Sequence, residues 1–138
     1  MKALLFGVLL AVVFPVLSML QGCRPAQAPD AYRAGISLVS EAVRVTDGAC
    51  ANLALERHDQ NLALSCAAAY DTARNSLLAA EAGLDAGHET NALCAFKNGV
   101  NALHRLADAV SSAGGSLPPV VADAFSFGEP IAALCRAP

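Results

Sequence analysis

Flat aromatic rings and clustered basic side chains are what this chain of 138 residues lacks most. It contains no Trp, two Tyr and five Phe, which leaves few rings to stack on bases or sugars. Charged residues make up only 15% of the chain, the formal net charge is −3, and Lys and Arg form no cluster. Because a protein that binds phosphate backbones needs such a cluster, we expect no nucleic-acid partner.

The sequence also lacks the short motifs that signal catalysis or metal binding. It has no Gly-x-Ser-x-Gly elbow, no Gly-rich phosphate loop, no Cys-x-x-Cys pair and no repeated Glu-x-x-His pattern. Its histidines fit surface roles: His58 and His88 lie in polar loops, and His104 stands four residues before Asp108, in position to pair with it on a helix. We therefore expect neither enzyme activity nor a metal or other cofactor.

The N-terminal segment has the features of an export signal. Lys2 is followed by the run Ala3–Leu20, which contains no charged residue and is typical of a secretory signal peptide. The run ends in Leu20-Gln21-Gly22-Cys23, which resembles the lipobox of bacterial lipoproteins. The glutamine is a departure, because the family usually has a small or aliphatic residue there. The resemblance covers residues 1–23 and implies nothing about the domain that follows.

The lipobox resemblance implies a protein held at a membrane by lipid. In that family the signal is cut between the positions that correspond to Gly22 and Cys23, and the cysteine thiol is acylated. Arg24 resembles the residue of outer-membrane-directed members, since Asp is the usual retention signal at that position. The resemblance thus implies a lipid-anchored protein of the cell envelope, on the outer membrane facing the periplasm if the host has two membranes.

Two alternatives for this segment stay open. Ala26-Gln27-Ala28 fits an ordinary signal-peptidase site, although Pro29 would follow the cut directly and is a poor residue there. An uncleaved membrane anchor is the other alternative, because about 18 apolar residues is the threshold for spanning a bilayer. Pro15 inside the run, and basic residues on both sides of it, favour neither a regular helix nor one orientation.

Beyond the signal, hydrophobic residues recur with helical periodicity, and no stretch alternates with period two. We divide the chain into a signal peptide at 1–22, a lipidated tether at 23–29 and an all-α helical domain at 30–138. The apolar stripes of the first three helices run from Ile36 to Leu53, from Leu62 to Leu84 and from Leu93 to Val110. The expected caps and stops are Asp30, Asp59 or Asn61, Gly87, and Gly114-Gly115.

A fourth helix is predicted to begin at Ser116–Pro119 and to be broken or kinked at Gly128-Glu129-Pro130. Four helices with short connections favour a small antiparallel bundle. Many of the stripe positions are Ala, which contributes little buried area, so the core of this bundle is expected to be thin and cross-links to matter.

Five cysteines are present, at positions 23, 50, 66, 94 and 135. If Cys23 carries lipid, four remain, an even number that suits an oxidising compartment. In antiparallel hairpins, residues equally distant from the connection lie opposite each other, which predicts the pairs Cys50–Cys66 and Cys94–Cys135. The chain-entropy relation gives each bridge about 3 kcal/mol. Four reduced core cysteines are the alternative for a protein that is not exported.

The most prominent polar cluster of the domain is Tyr70, Asp71 and Arg74, which sequence spacing places on one helix. Asp71 and Arg74 are spaced for an exposed i,i+3 ion pair, and the same cluster is a candidate patch for partner recognition. The favoured hypothesis is a non-catalytic envelope protein that binds or blocks another envelope component. The alternative is a carrier of a small ligand or metal inside the bundle.

Overall fold

The computed structural model describes residues 28–136, and the part from Ala31 onward forms one compact unit. Four α-helices and no strand occur within the described range, so the predicted all-α class is confirmed. The helices are α1 at Ala28–Arg57, α2 at Gln60–Asp85, α3 at Glu89–Ser112 and α4 at Pro119–Ala132. The predicted signal peptide and lipidation site lie outside the described residues.

Helix α1 begins before the expected position. The predicted N-cap at Asp30 is wrong, because α1 starts at Ala28 and Asp30 lies in its first turn. Residues 28 and 29 of the predicted tether are helical, and the rest of the tether lies outside the described residues. Pro29 causes no interruption, since the first helical turn needs no backbone donor. An acidic residue in that turn is favourable beside the positive end of the helix dipole.

The connection between α1 and α2 consists of two residues, His58 and Asp59. His58 has a positive φ of 51°, and the Asp59 amide donates to the Ala54 carbonyl at 3.0 Å, which terminates α1. Asp59 is the N-cap of α2, and its carboxylate accepts a hydrogen bond from the Leu62 amide at 2.9 Å. Asp59 was one of the two predicted caps, and the structure selects it over Asn61.

The other two connections contain glycines in the left-handed region, at Gly87 and Gly114, both with φ of 74°. Both glycines are positions where the sequence predicts a helix to stop. Pro119 opens α4 at its first helical position. The helix then continues through Pro130 to Ala132, so the sequence expectation of a break there is wrong, and the kink stays a prediction.

The predicted disulfides are present. Cys50 pairs with Cys66, with their Cα atoms 6.3 Å apart, and Cys94 pairs with Cys135, with their Cα atoms 4.7 Å apart. The first bridge joins α1 to α2 close to their connection, and the Arg33–Asp85 ion pair joins the same helices at the far end. These two contacts place α1 and α2 side by side in opposite directions. The antiparallel order of all four helices stays a prediction.

The core is built mainly from Ala, Val and Leu, with Phe96 as its largest side chain. Helix α3 is the most deeply packed and contacts both α2 and α4. Close approach depends on glycines: a Cβ at Gly99 would lie 2.8 Å from Leu77, and one at Gly128 would lie 3.2 Å from Val39. Small residues therefore bring the helices together here, as the Ala-rich stripes suggest.

Candidate functional site

A groove of the described residues lies between α1 and α2, next to their connection. Its volume is about 630 Å³. We call it the α1–α2 groove, and its lining residues are Asp47, Ala51, Ala54, Leu55, His58, Asp59, Gln60, Ala63, Cys66 and Ala67. Pockets that hold small molecules or partner side chains are of this size, so the groove is the first candidate for a binding site.

The depth of the α1–α2 groove follows from its composition. The side chains of Ala51, Ala63 and Ala67 end at Cβ. They leave a depression between the two helices that longer side chains would fill. Leu55 lines the groove with 73% of its surface exposed. The groove is therefore an apolar depression with an exposed apolar edge, which suits contact with another apolar surface.

Charge in the α1–α2 groove is negative. Asp47 is half-buried at one end and makes no hydrogen bond or ion pair within residues 28–136. Burial raises the pKa of its carboxyl above the ordinary value, and the nearby negative charge of Asp71 raises it further. Asp59 stands at the other end, where its carboxylate caps α2. A partner with a basic group among apolar ones complements this distribution.

The predicted patch of Tyr70, Asp71 and Arg74 is divided by the structure. Asp71 is exposed and lies near Asp47, whereas Tyr70 and Arg74 line a second, smaller cavity of about 200 Å³ farther along the same two helices. The expected Asp71–Arg74 ion pair is absent from the described part of the chain. Arg74 lines the cavity between the helices and forms no ion pair with Asp71, one turn earlier on the same helix.

The predicted pairing of His104 with Asp108 is also wrong. The His104 ring lies 3.9 Å from the Phe125 ring, stacked at 9°, and its Nε2 is 3.0 Å from a carboxylate oxygen of Glu129. Both partners belong to α4, so His104 joins α3 to α4 instead of decorating one helix. Sequence spacing within α3 could not reveal a partner 25 residues away.

Metal-ligating and buried polar side chains form no further candidate site within residues 28–136. No three His, Cys, Asp or Glu side chains are grouped to hold a metal ion there. Within the same range, every buried side-chain nitrogen and oxygen has a hydrogen-bond partner, including the Thr46 hydroxyl, which donates to the Ala42 carbonyl. The space beside Phe96 and Ile131 is too small for a water molecule.

The sequence analysis missed the α1–α2 groove, although its signal was present. Asp47, Ala51 and Leu55 are spaced four residues apart, which is a second stripe along α1 beside the buried one. Its mixture of alanine and one exposed leucine differs from an ordinary charged outer face. A concave surface, however, requires the matching stripe of α2, and spacing along one helix does not show which stripes adjoin.

No family model matches the chain, and no curated protein or solved structure is significantly similar to it. Of the predicted site residues, the four disulfide cysteines lie in the described range and are paired, whereas Gly22 and Cys23 lie outside it. No helix within the described residues combines the length and hydropathy that crossing a membrane requires.

Proposed function

We propose that this protein is a non-catalytic, lipid-anchored component of the cell envelope that binds or blocks another envelope protein. The observation that carries the proposal is the cysteine distribution. Two disulfides use Cys50, Cys66, Cys94 and Cys135, and the fifth cysteine of the chain is Cys23, at the end of the lipobox-like motif. Disulfides persist in oxidising compartments, and an export signal leads to one.

The α1–α2 groove is the surface we assign to the partner. It is an apolar depression with a volume of about 630 Å³, it carries the exposed Leu55, and its Asp47 carboxylate has no partner within the described residues. Interfaces of this kind are centred on a few apolar anchors, with charged groups setting orientation. We therefore expect the partner to place an apolar side chain between the helices and a basic group near Asp47.

The anchor is tested by the intact mass of the detergent-extracted protein, before and after reduction and alkylation. Lipidation at Cys23 predicts the mass of residues 23–138 plus acyl chains, with four thiols becoming reactive only after reduction. Cys23→Ala serves as the control and should keep its full length and carry no lipid. An unprocessed wild-type mass, or five thiols that react without reduction, would contradict the proposal.

The partner surface is tested by site-specific photocrosslinking in cells. A photoreactive residue at Ala63, in the groove, should form a discrete crosslinked species, whereas one at the exposed Asn101 of α3 should not. Leu55→Asp should abolish the Ala63 crosslink, while Leu64→Asp should preserve it, because Leu64 is also exposed but lies outside the groove lining. Equal crosslinking from Ala63 and Asn101 would assign the partner to another surface.

A further inference from the structure

A second cavity on α1 and α2 has the composition of a small-ligand site. It has a volume of about 200 Å³ and lies where Val43, Ile36 and Leu77, all nearly buried, form an apolar floor. Arg74 and Tyr70 stand over that floor. This cavity is separate from the α1–α2 groove and shares no lining residue with it.

The polar side chains of this cavity differ in whether they have a hydrogen-bond partner. The Arg44 guanidinium is held by two hydrogen bonds to Glu41, at 3.0 and 2.6 Å, which neutralise it. The Arg74 guanidinium and the Tyr70 hydroxyl, by contrast, have no hydrogen-bond partner within residues 28–136. A planar guanidinium with free donors fits a carboxylate in bidentate fashion, and a phenol hydroxyl can add a third donor.

Charge is distributed along the cavity from one end to the other. Glu81 also lines it and follows Arg74 by seven residues on α2, which is about 10 Å along the helix axis. The Arg74 end therefore attracts one negative group, and the Glu81 end repels a second. The apolar floor between them accepts a short hydrocarbon chain, and 200 Å³ equals the volume of roughly seven water molecules.

We infer that this cavity binds a medium-chain monocarboxylate, with the carboxylate on Arg74 and Tyr70 and the hydrocarbon chain over Ile36, Val43 and Leu77 toward Glu81. An acid of about six to eight carbons matches the volume. This inference concerns a small ligand and does not depend on the lipid anchor or on a protein partner. It also differs from a carrier with an interior site, because the exposed side chains of Arg74 and Glu81 line this cavity between two helices.

The test is a titration of the ¹⁵N-labelled full chain with sodium octanoate, followed by amide chemical shifts. We expect saturable shifts of the residues around Val43 and Leu77, with a Kd on the order of a millimolar for a ligand this small. Octanol and octylammonium, which keep the chain but not the carboxylate, should bind at least about tenfold more weakly. Equal binding of octanol, or shifts centred on Ala51 and Ala63, would overturn the inference.

Two substitutions test the ends of the cavity. Arg74→Gln should weaken octanoate binding about tenfold, while Arg105→Gln, an exposed arginine of α3, should leave it unchanged. Octanedioate, which places a second carboxylate about 10 Å from the first, should bind wild type more weakly than octanoate. Glu81→Gln should remove that difference. If Arg74→Gln binds octanoate as wild type does, or if Glu81→Gln leaves octanedioate disfavoured, the assignment is wrong.

Discussion

Gly99 of α3 packs against Leu77 of α2, and a Cβ there would lie 2.8 and 2.9 Å from two atoms of Leu77. Gly48, in the middle of α1, has open space instead. We expect Gly99→Ala to lower the free energy of unfolding by about 1 to 2 kcal/mol, and Gly48→Ala to raise it by about 0.5 to 1 kcal/mol. Urea unfolding followed by circular dichroism measures both, and stabilisation by both changes would contradict the close packing at Gly99.

A second single-residue prediction concerns Asp47, whose carboxyl pKa is raised above its ordinary value of 3.8 by burial and by Asp71. A raised folded-state pKa means that ionised Asp47 destabilises the fold at pH 7. Below the unfolded-state pKa the carboxyl is protonated in both states and the cost disappears. Since the side chain is only half-buried and solvent screens its charge, Asp47→Asn should stabilise the protein by only a few tenths of a kcal/mol at pH 7.

The pH dependence distinguishes this effect from a change in packing. The gain from Asp47→Asn should shrink to zero as the pH falls below about 3.8. Asp123→Asn, at an exposed aspartate of α4, is the matched control at each pH. A gain at pH 7 that persists unchanged at pH 3 would show that charge at Asp47 is not its source.

Sequence patterns at the scale of single residues succeeded where the cause is local. Asp59 caps α2 and Gly87 takes a left-handed φ because each position is defined by the backbone next to it. The partner of His104 was mispredicted because Glu129 belongs to another helix. The left-handed φ of His58 was also missed, since histidine is not the residue that usually marks such a turn.

At the scale of helices, the apolar stripes predicted which side of each element is buried. Val39, Val43, Thr46 and Cys50 lie inside, as their spacing of three and four residues requires. The ends of the helices were less predictable, because α1 starts at Ala28 and Pro130 is retained inside α4. Proline near a helix end removes one backbone hydrogen bond, which tertiary contacts can offset.

The helix pairs also determine what each disulfide stabilises. Cys50 and Cys66 close 16 residues, and Cys94 and Cys135 close 41, for which the chain-entropy relation gives about 3 and about 4 kcal/mol. We expect replacing either pair with two alanines to lower the free energy of unfolding by about these amounts. Guanidinium unfolding of the two double variants, each with its remaining bridge intact, tests this. A loss under about 1 kcal/mol would mean that the bridge does not constrain the unfolded chain.

At the scale of the whole molecule, the sequence predicted the fold class and the cross-links but not the candidate site. Hydrophobic periodicity and cysteine spacing are read along one segment of the chain at a time. They are sufficient to predict the helices and the disulfides within hairpins. The α1–α2 groove and the second cavity, which Arg74 lines, form only where α1 and α2 lie side by side. Tyr70, Asp71 and Arg74 illustrate the limit, since the pattern grouped three residues that the packed helices assign to two surfaces.

The thin core makes the whole molecule depend on oxidation. Fully buried side chains are largely Ala and Val, with few of the size of Phe96, Leu103 and Leu106. Together the two bridges amount to about 7 kcal/mol, which is comparable to the entire stability of a typical domain. Reduction should therefore lower the thermal midpoint by at least about 20 °C and leave much of the chain unfolded at 37 °C.

Thermal melts at 222 nm, with and without a phosphine reductant, measure this dependence. A variant with alanine at all four disulfide cysteines is the control, and the reductant should leave its melt unchanged. If the reduced wild type melts as the oxidised protein does, the helices are stable without cross-links. A large drop would mean that the chain stays unfolded in a reducing compartment and completes its fold only in an oxidising one. Export through a secretory channel requires an unfolded chain, so this behaviour would suit an exported protein.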